Sequence, residues 1–501
     1  MTVSATAVGE PAGGRLPARL VMLMLTIALG SIMMQLDATM TNIAYDTLLE
    51  QFDSSLLTIQ WVTTGYLLAM AAVMALSGWA LERFGARKMW ITCISLFLVG
   101  SVLCGFAWDV SSLIGFRVVQ GLGGGMVLPL GMAILAQEAG PSRLGRVMGV
   151  MGVPSALGPV LGPVLGGLIV DDWNWRWIFF INIPVCLAAI AMAWRVMPTR
   201  TSPDAGRLDV LGLLLLSPAC AVVVFGLTEA SRYRSFADRH VALPLAAGTV
   251  LLVLFCLHAL RVRDPILDLR LLKIRSFLSS SAVLFFASVA LFGAVGVLPL
   301  YSQQVRGRSA LEAGLLLVPQ GLGMAVSLIA VGRLADRVTA RVLVVGGLVL
   351  TGAGALVFTR LGAESSEALL SAALLVNGCG MGAVMVPAMA AAIRDVPAPM
   401  IPRASAANRI IMQIGSSFGA AVLLIVAQGR LDELIAAGRL TPDGLAGAYG
   451  RTFWWVLGFA AVSILLALLI PARAPRRDEA ASGRPRSAES GPPRVSGHPD
   501  V

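Results

Sequence analysis

Divided at its charged and Gly/Pro-rich breaks, this chain falls into apolar stretches of about 20 residues, the length that carries a helix across a hydrocarbon core at roughly 1.5 Å per residue. Fourteen can be counted, beginning near Leu20, Leu56, Met89, Ser111, Val147, Trp177, Leu208, Val241, Ser276, Gly314, Val342, Ala368, Ile410 and Phe453. Composition agrees: 57% of the 501 residues are apolar and 13% are Asp, Glu, Lys or Arg, with a mean hydropathy of +0.81. Soluble chains run nearer about 25% charged, so the excess apolar surface must face lipid. The expected class is an all-α polytopic membrane protein. Arg15 and Arg19 precede the first stretch much as in a signal peptide. That stretch runs on through Gln35 and Asp37 with many more behind it, so it reads as a retained first helix.

The 38 basic and 28 acidic residues leave a net charge of +10. In a soluble chain this would suggest nucleic-acid binding, but its distribution points to topology, and no nucleic-acid partner is expected. Tails and even-numbered connections hold 27 basic residues against 10 in the odd-numbered ones. The positive-inside rule then places both termini in the cytoplasm, with Arg232, Arg234 and Arg239 as the exception to the asymmetry. Two lysines among 38 basic residues fit a GC-rich bacterial genome, and the expected location is a bacterial plasma membrane. The six cysteines fall singly in apolar runs and suggest neither a disulfide framework nor a metal site. From Pro471 the C-tail is rich in Pro, Gly, Ser and Arg and is expected to be disordered. Gly429 to Arg451 is the longest predicted outer connection. It reads as a solvated loop, with a short amphipathic hairpin around Leu431 to Leu440 as the alternative.

The connection after the second stretch, GWALERFGARK from Gly78 to Lys88, resembles GRLADRVTAR from Gly332 to Arg341. Gly78 and Gly332, Glu82 and Asp336, Arg83 and Arg337, and Arg87 and Arg341 are each 254 residues apart. A constant offset points to a duplicated bundle whose halves rock around a central site. The expected organisation is an N-tail (1–19), a six-helix bundle (20–200), two extra helices (201–262), a second six-helix bundle (263–471) and a C-tail (472–501). In each loop Gly permits a tight turn, and the acidic residue can pair with arginines of this or a neighbouring connection to latch helix ends together. The plainer reading is that Arg83, Arg87 and Lys88 enforce topology and touch anionic lipid.

Further strings extend the pattern. The first stretch carries LDATMTNIA, Leu36 to Ala44. The fourth carries Arg117, Gln120 and Gly121, and the fifth GPVLGPVLGG, Gly158 to Gly167, followed by WRWIFFINIP, Trp175 to Pro184. With Gly78, Arg83, Gly85, Arg87 and Lys88, and Glu82 in the place of an Asp, these strings resemble the major facilitator superfamily, specifically its fourteen-span drug:proton antiporters of the EmrB/QacA type. Tyr45-Asp46 replaces the family's Leu-Pro. The resemblance implies a major facilitator fold and export of drugs, antibiotics or other small hydrophobic or cationic compounds by alternating access. The proton gradient would be the energy source, with no cofactor, and a monomer is expected.

Asp37 is the most informative position, because a carboxylate inside an apolar span is expensive and marks an ion or substrate path. Thr26, Gly30, Asp37 and Thr41 lie within about 60° on a helical wheel, a face that can look into a bundle. Asp37 and Arg117 each sit about six residues, roughly 9 Å, inside the outer boundary and can be level. Burial favours the protonated form of a carboxyl and an adjacent arginine the ionised one. Separating the two would therefore favour proton uptake, and re-pairing would favour release. The plainer readings are a cap at the interface for Asp37 and snorkelling for Arg117. Gly158, Gly162 and Gly166, with Gly167, Pro159 and Pro163, form a stripe that allows close helix approach and bending; in the resembling family it belongs to exporters. Thr41, Gln120, Gln320 and Asn377 are the cavity candidates. Gln303, Gln304, Asn408, Arg409 and Gln413 are further polar groups in or near spans, and interhelical hydrogen bonding is as good a reading of Gln320.

An enzyme is not expected. GLGGGM, Gly121 to Met126, lies in an apolar span without the strand a dinucleotide loop needs; there is no P-loop and no HExxH, and His240, His258 and His498 are scattered. The alternatives kept are a dedicated self-resistance exporter of one natural product, an importer of the same superfamily, and a membrane sensor that binds a ligand without moving it.

Overall fold

The computed structural model describes residues 17–199, 208–334, 338–438 and 441–471; for some helical residues, chiefly within 140–164, the backbone alone is described. Most of the predicted N-tail and the whole predicted C-tail (472–501) lie outside the described residues. Among those described, all regular structure is helical. The first stretch forms α1 (Ala18–Ile43), continued by the short α2 (Tyr45–Phe52). The second is broken into α3 (Leu56–Met74) and α4 (Ser77–Phe84), bent by 56° at the break. Gly85, at φ +81°, then reverses the chain into α5 (Ala86–Gly105), a backbone conformation that glycine adopts without strain. A reciprocal cap opens α6 (Val110–Gly124): Asp109 accepts the Ser112 N–H, and the Ser112 hydroxyl accepts the Asp109 N–H.

α7 (Val127–Asp172) follows, then α8 (Trp177–Phe180), α9 (Asn182–Val196), α10 (Val210–Tyr233) and α11 (Arg239–Arg261). The remainder comprises α12 (Arg275–Arg306), α13 (Ala310–Leu315), α14 (Val318–Leu334), α15 (Ala340–Phe358), α16 (Glu367–Arg394), α17 (Ile401–Ala436) and α18 (Pro442–Ala467). Eleven segments among the described residues are long and apolar enough to cross a bilayer, or twelve if the bent pair α3 and α4 is one span. The chain is a multi-pass membrane protein. The predicted stretches from Val147 and Ser276 fall within α7 and α12 and outside that count.

Two predicted helix starts were late. α17 begins at Ile401 and α18 at Pro442, ahead of the expected Ile410 and Phe453. Charged residues such as Arg403, Arg409 and Arg451 look like breaks in a hydropathy trace, yet none of them opposes helical backbone. The supposed loop from Gly429 to Arg451 is accordingly almost all helix, and Thr441 caps α18 by accepting the Gly444 N–H.

Within the first part of the chain α1 packs on α7 and α9, and α5 and α3 both pack on α6; within the last part α12 packs on α16, α17 and α18, and α16 on α14 and α15. α7 crosses to α14, α16 and α17, while α10 pairs with α11 and touches α3 and α17. Leu243, Val250, Leu257 and Leu260 leave much of α11 exposed, as lipid contact requires.

Candidate functional site

Asp37 and Arg117 are fully buried and joined. Arg117 Nη1 donates to Asp37 Oδ2 at 2.6 Å, with both side chains at 0% exposure. The helical spacing of α6 puts Gln120 one turn beyond Arg117, where it links the pair a second time. Its Oε1 accepts from Arg117 Nη1 at 2.6 Å and its Nε2 donates to Asp37 Oδ1 at 2.9 Å. Asn182, at the start of α9, donates to the same Oδ1 at 3.0 Å and to Ser101 Oγ on α5 at 2.9 Å; the Ser101 hydroxyl in turn donates a hydrogen bond to the Phe179 carbonyl at 2.9 Å. Arg117 Nε donates to the Val62 carbonyl on α3 at 3.4 Å, and the guanidinium lies 4.2 Å from the Tyr66 ring centre. Helices α1, α3, α5, α8 and α9 thus converge with α6 on one ion pair and its hydrogen-bond relay.

Such a network is poor evidence of a stabilising role. Removing two charges from water is costly, and apolar residues of similar volume often replace buried pairs without loss. What the arrangement does offer is a carboxylate whose charge holds several helices in register, beside an arginine with a donor to spare, since Arg117 Nη2 and Tyr66 Oη are buried without hydrogen-bond partners. Thr26, Gly30 and Thr41 share the buried face of α1 with Asp37, but the Thr41 hydroxyl donates back to the Asp37 carbonyl and not to its carboxylate.

Gly78 and Gly332 do not make the tight turns expected of them, since both lie inside helices, α4 and α14, and the positive-φ residue is Gly85; α4 nonetheless carries a second constellation. Glu82 on α4 accepts from Arg403 on α17 twice, at 3.0 Å from Nη2 and 3.2 Å from Nε, while Arg403 Nη1 reaches the Pro265 carbonyl at 3.4 Å. Gly78 permits this approach, since a Cβ there would stand 3.1 Å from the Arg403 Cα. Arg87 donates to the Met197 carbonyl at the end of α9, whereas Arg83 and Lys88 are exposed. In the second copy Arg341 plays the part of Arg87, donating to the Ile470 carbonyl beyond α18 at 2.6 Å. Gly332 has open space around it, and Asp336 and Arg337 lie outside the described residues.

The glycine stripe packs against α1, the helix that carries Asp37. A Cβ at Gly158 would stand 2.5 Å from Gln35 Cβ, one at Gly162 would overlap Thr39 Oγ1, and Thr39 Oγ1 donates to the Gly158 carbonyl at 3.3 Å. Gly166 is buried, while a Cβ at Gly167 would meet nothing. Pro159 and Pro163 lie in α7, and their side chains are outside the described set. Gln320 and Asn377 are brought together by α14 and α16. Gln320 Nε2 donates to Asn377 Oδ1 at 3.0 Å, and Asn377 Nδ2 to the Thr351 carbonyl on α15 at 3.1 Å, so both bind helix to helix.

Sequence reasoning missed Ser101, Asn182, Tyr66 and Arg403. Asn182 was visible in WRWIFFINIP as the one amide in an apolar string; the others carried no signal separable from their neighbours.

Residues 27–420 match the Major Facilitator Superfamily model. The chain is similar to a multidrug resistance protein B homolog of Mycobacterium tuberculosis (38% identity, covering 89% of this chain and 85% of the relative). It is also similar to a puromycin resistance protein of Streptomyces alboniger (31% identity, 92% and 93%). Among solved structures it resembles a human organic anion transporter at a TM-score of 0.63, covering 90% of this chain and 100% of the other; at 17% identity that likeness is of fold alone.

Proposed function

This chain belongs to the major facilitator superfamily, and we propose that it is a proton-coupled exporter of drugs or antibiotics working by alternating access. The observation that carries the reading is the Asp37–Arg117–Gln120–Asn182 network, an ionisable group with several helices resting on its charge state. Protonating Asp37 removes the charge that Arg117, Gln120 and Asn182 all address, freeing α1 to shift against α6 and α9; re-ionisation draws them together again. The close contact of α1 with the Gly158–Gly162 stripe would pass that shift to α7, which packs on α14, α16 and α17. Glu82 and Arg403 would hold one end of the bundle shut in one phase of the cycle. Thr41, Gln120, Gln320 and Asn377 stay as candidates for the cavity wall.

The finer architecture belongs to the same proposal: fourteen spans of the EmrB/QacA type, the fifth and ninth within α7 and α12, in a bacterial plasma membrane with both termini cytoplasmic. The helix contacts fit bundles of 20–200 and 263–471 with α10 and α11 (201–262) as an added pair, acting as a monomer on small molecules in the bilayer. Export of a single natural product is the second reading, favoured by the puromycin resistance relative. A susceptibility panel of antibiotics and dyes in a pump-deficient host tests both. Resistance to several compounds, abolished by a protonophore, supports a multidrug pump; resistance to one supports the second reading. Unchanged susceptibility and accumulation would leave a non-transporting sensor.

A further inference from the structure

Arg409 is a charge carried inside an apolar helix of the second part of the chain. It lies inside α17, eight residues from Ile401 and so about 12 Å along the helix, with its Nε buried and without a hydrogen-bond partner. Other arginines near the bundle interior are engaged: Arg117 with Asp37, Arg403 with Glu82, Arg306 with the Ser365 carbonyl. No carboxylate among the described residues pairs with Arg409. A guanidinium stays charged under all ordinary conditions, and an uncompensated charge in an apolar span is expensive enough that it marks a ligand or ion path.

Its neighbours point the same way. Asn408 is at 0% exposure; its amide is held at one end by Ser281 Oγ at 2.6 Å, and its Nδ2 is buried and unpaired. Ser405, one turn before Arg409, is also at 0% exposure with its hydroxyl unpaired. Asn408 turns toward α12, whereas Ile410, 200° further round at about 100° per residue, joins the cluster formed by α3 and α10. Phe418 fills the arc between them on one side, against Phe285 and Phe236. The other arc holds Ser405 and Arg409, away from both of these faces; α17 also meets α7, α16 and α18. Ser405 and Arg409 thus share one arc of α17, a buried hydroxyl and a partly exposed guanidinium whose Nε is buried, both unpaired, an arrangement that protein interiors normally avoid.

We infer that Arg409, with Ser405 one turn before it, is a binding site for the anionic group of an amphipathic organic acid, a carboxylate or sulfonate on an apolar body, and that the transported compounds include such acids. The inference deepens the exporter reading and rests on it for transport, though not for binding. A planar guanidinium receives such an oxyanion in two parallel hydrogen bonds, with the Ser405 hydroxyl on the same arc. Arg409 lies six residues, about 9 Å, further into α17 than Arg403. Opening the Glu82–Arg403 pair would therefore expose the site toward that end, the side from which an exporter loads. A cationic compound meets an uncompensated like charge here.

The test uses two dyes with one xanthene core and opposite charge, fluorescein (anion) and rhodamine 6G (cation), titrated by fluorescence anisotropy against purified full-length protein. Wild type is expected to bind fluorescein, Arg409→Gln to weaken it by about tenfold or more, and Arg409→Lys, which keeps charge but not the fork, by less. Rhodamine 6G binding should hold or tighten in both variants, which also certifies their fold; if Arg409→Gln unfolds, Arg409→Lys decides by the same two dyes. No fluorescein binding by wild type, equal fluorescein affinity in all three proteins, or parallel loss of both dyes overturns the site. Everted vesicles separate the site from the exporter reading. Arg409-dependent fluorescein binding without pumping of either dye sinks export and leaves the site standing, whereas proton-driven rhodamine 6G pumping without fluorescein binding does the reverse.

Discussion

Glu82 and Arg403 are 321 residues apart in the chain and meet as a two-pronged ion pair, with the Gly78 backbone pressed against the arginine's own Cα. The contact joins α4 to α17 and is only slightly exposed, the side chains at 12% and 14%. A pair so placed must part whenever the ends of α4 and α17 separate. On the proposed reading it biases an equilibrium between two arrangements of the bundle and does little to hold the fold itself.

Reversing either charge should therefore slow transport without unfolding the protein. Glu82→Arg and Arg403→Glu are each expected to cut the initial rate in everted vesicles by about tenfold, and the double variant to recover much of it, a coupling within the roughly 0.5–3 kcal/mol found for residues in contact. Additive losses would mean that the pair is incidental.

The glycine stripe makes a sharper contrast. Gly162→Ala must displace Thr39 and is expected to abolish transport while the protein still inserts, whereas Gly167→Ala, with open space around it, should be silent. Thr39→Ala in the Gly162→Ala background should restore part of the rate. Equal effects at Gly162 and Gly167 would show that close approach of α1 and α7 is unimportant.

Removing one member of the buried pair should hurt stability more than removing both. Arg117→Gln leaves the Asp37 carboxyl buried without its partner, a loss of about 3–5 kcal/mol in comparable sites, and the Asp37→Asn/Arg117→Gln protein should melt above it in detergent. A double variant that melts lower than either single would contradict the assignment.

Asn182 and Ser101 should rank in that order. Asn182 bonds the Asp37 carboxylate directly, while Ser101 reaches it only through Asn182. Asn182→Ala is expected to reduce pH-gradient-driven transport severalfold and Ser101→Ala less, each buried hydrogen bond being worth about 1 kcal/mol. The reverse order would mean that Ser101 has a role of its own.

The legible parts of this molecule are those where a residue contradicts its surroundings. Asp37 and Arg117 stood out because an apolar span has no other reason to hold a charge, and the repeat at Gly78 and Gly332 because its offset is constant. Ser101 did not, since neutral polar side chains are common in spans; Asn182 was visible as the one amide of its string, but only the three-dimensional approach of α5, α9 and α1 gives either of them a partner. Arg403 could be counted but not paired, because nothing local links it to a glutamate 321 residues earlier. Charge also misled: it put the start of α17 at Ile410 and so left Arg403 and Arg409 outside a helix that contains both.

The most direct test of the central claim is proton-driven export by Asp37→Asn. In vesicles with an imposed pH gradient, wild type should move substrate against its concentration gradient while dissipating the proton gradient. Asp37→Asn should lose both activities, yet still bind substrate and exchange it down a concentration gradient. An Asp37→Asn protein that exports as fast as wild type under the same gradient would show that Asp37 does not carry the proton.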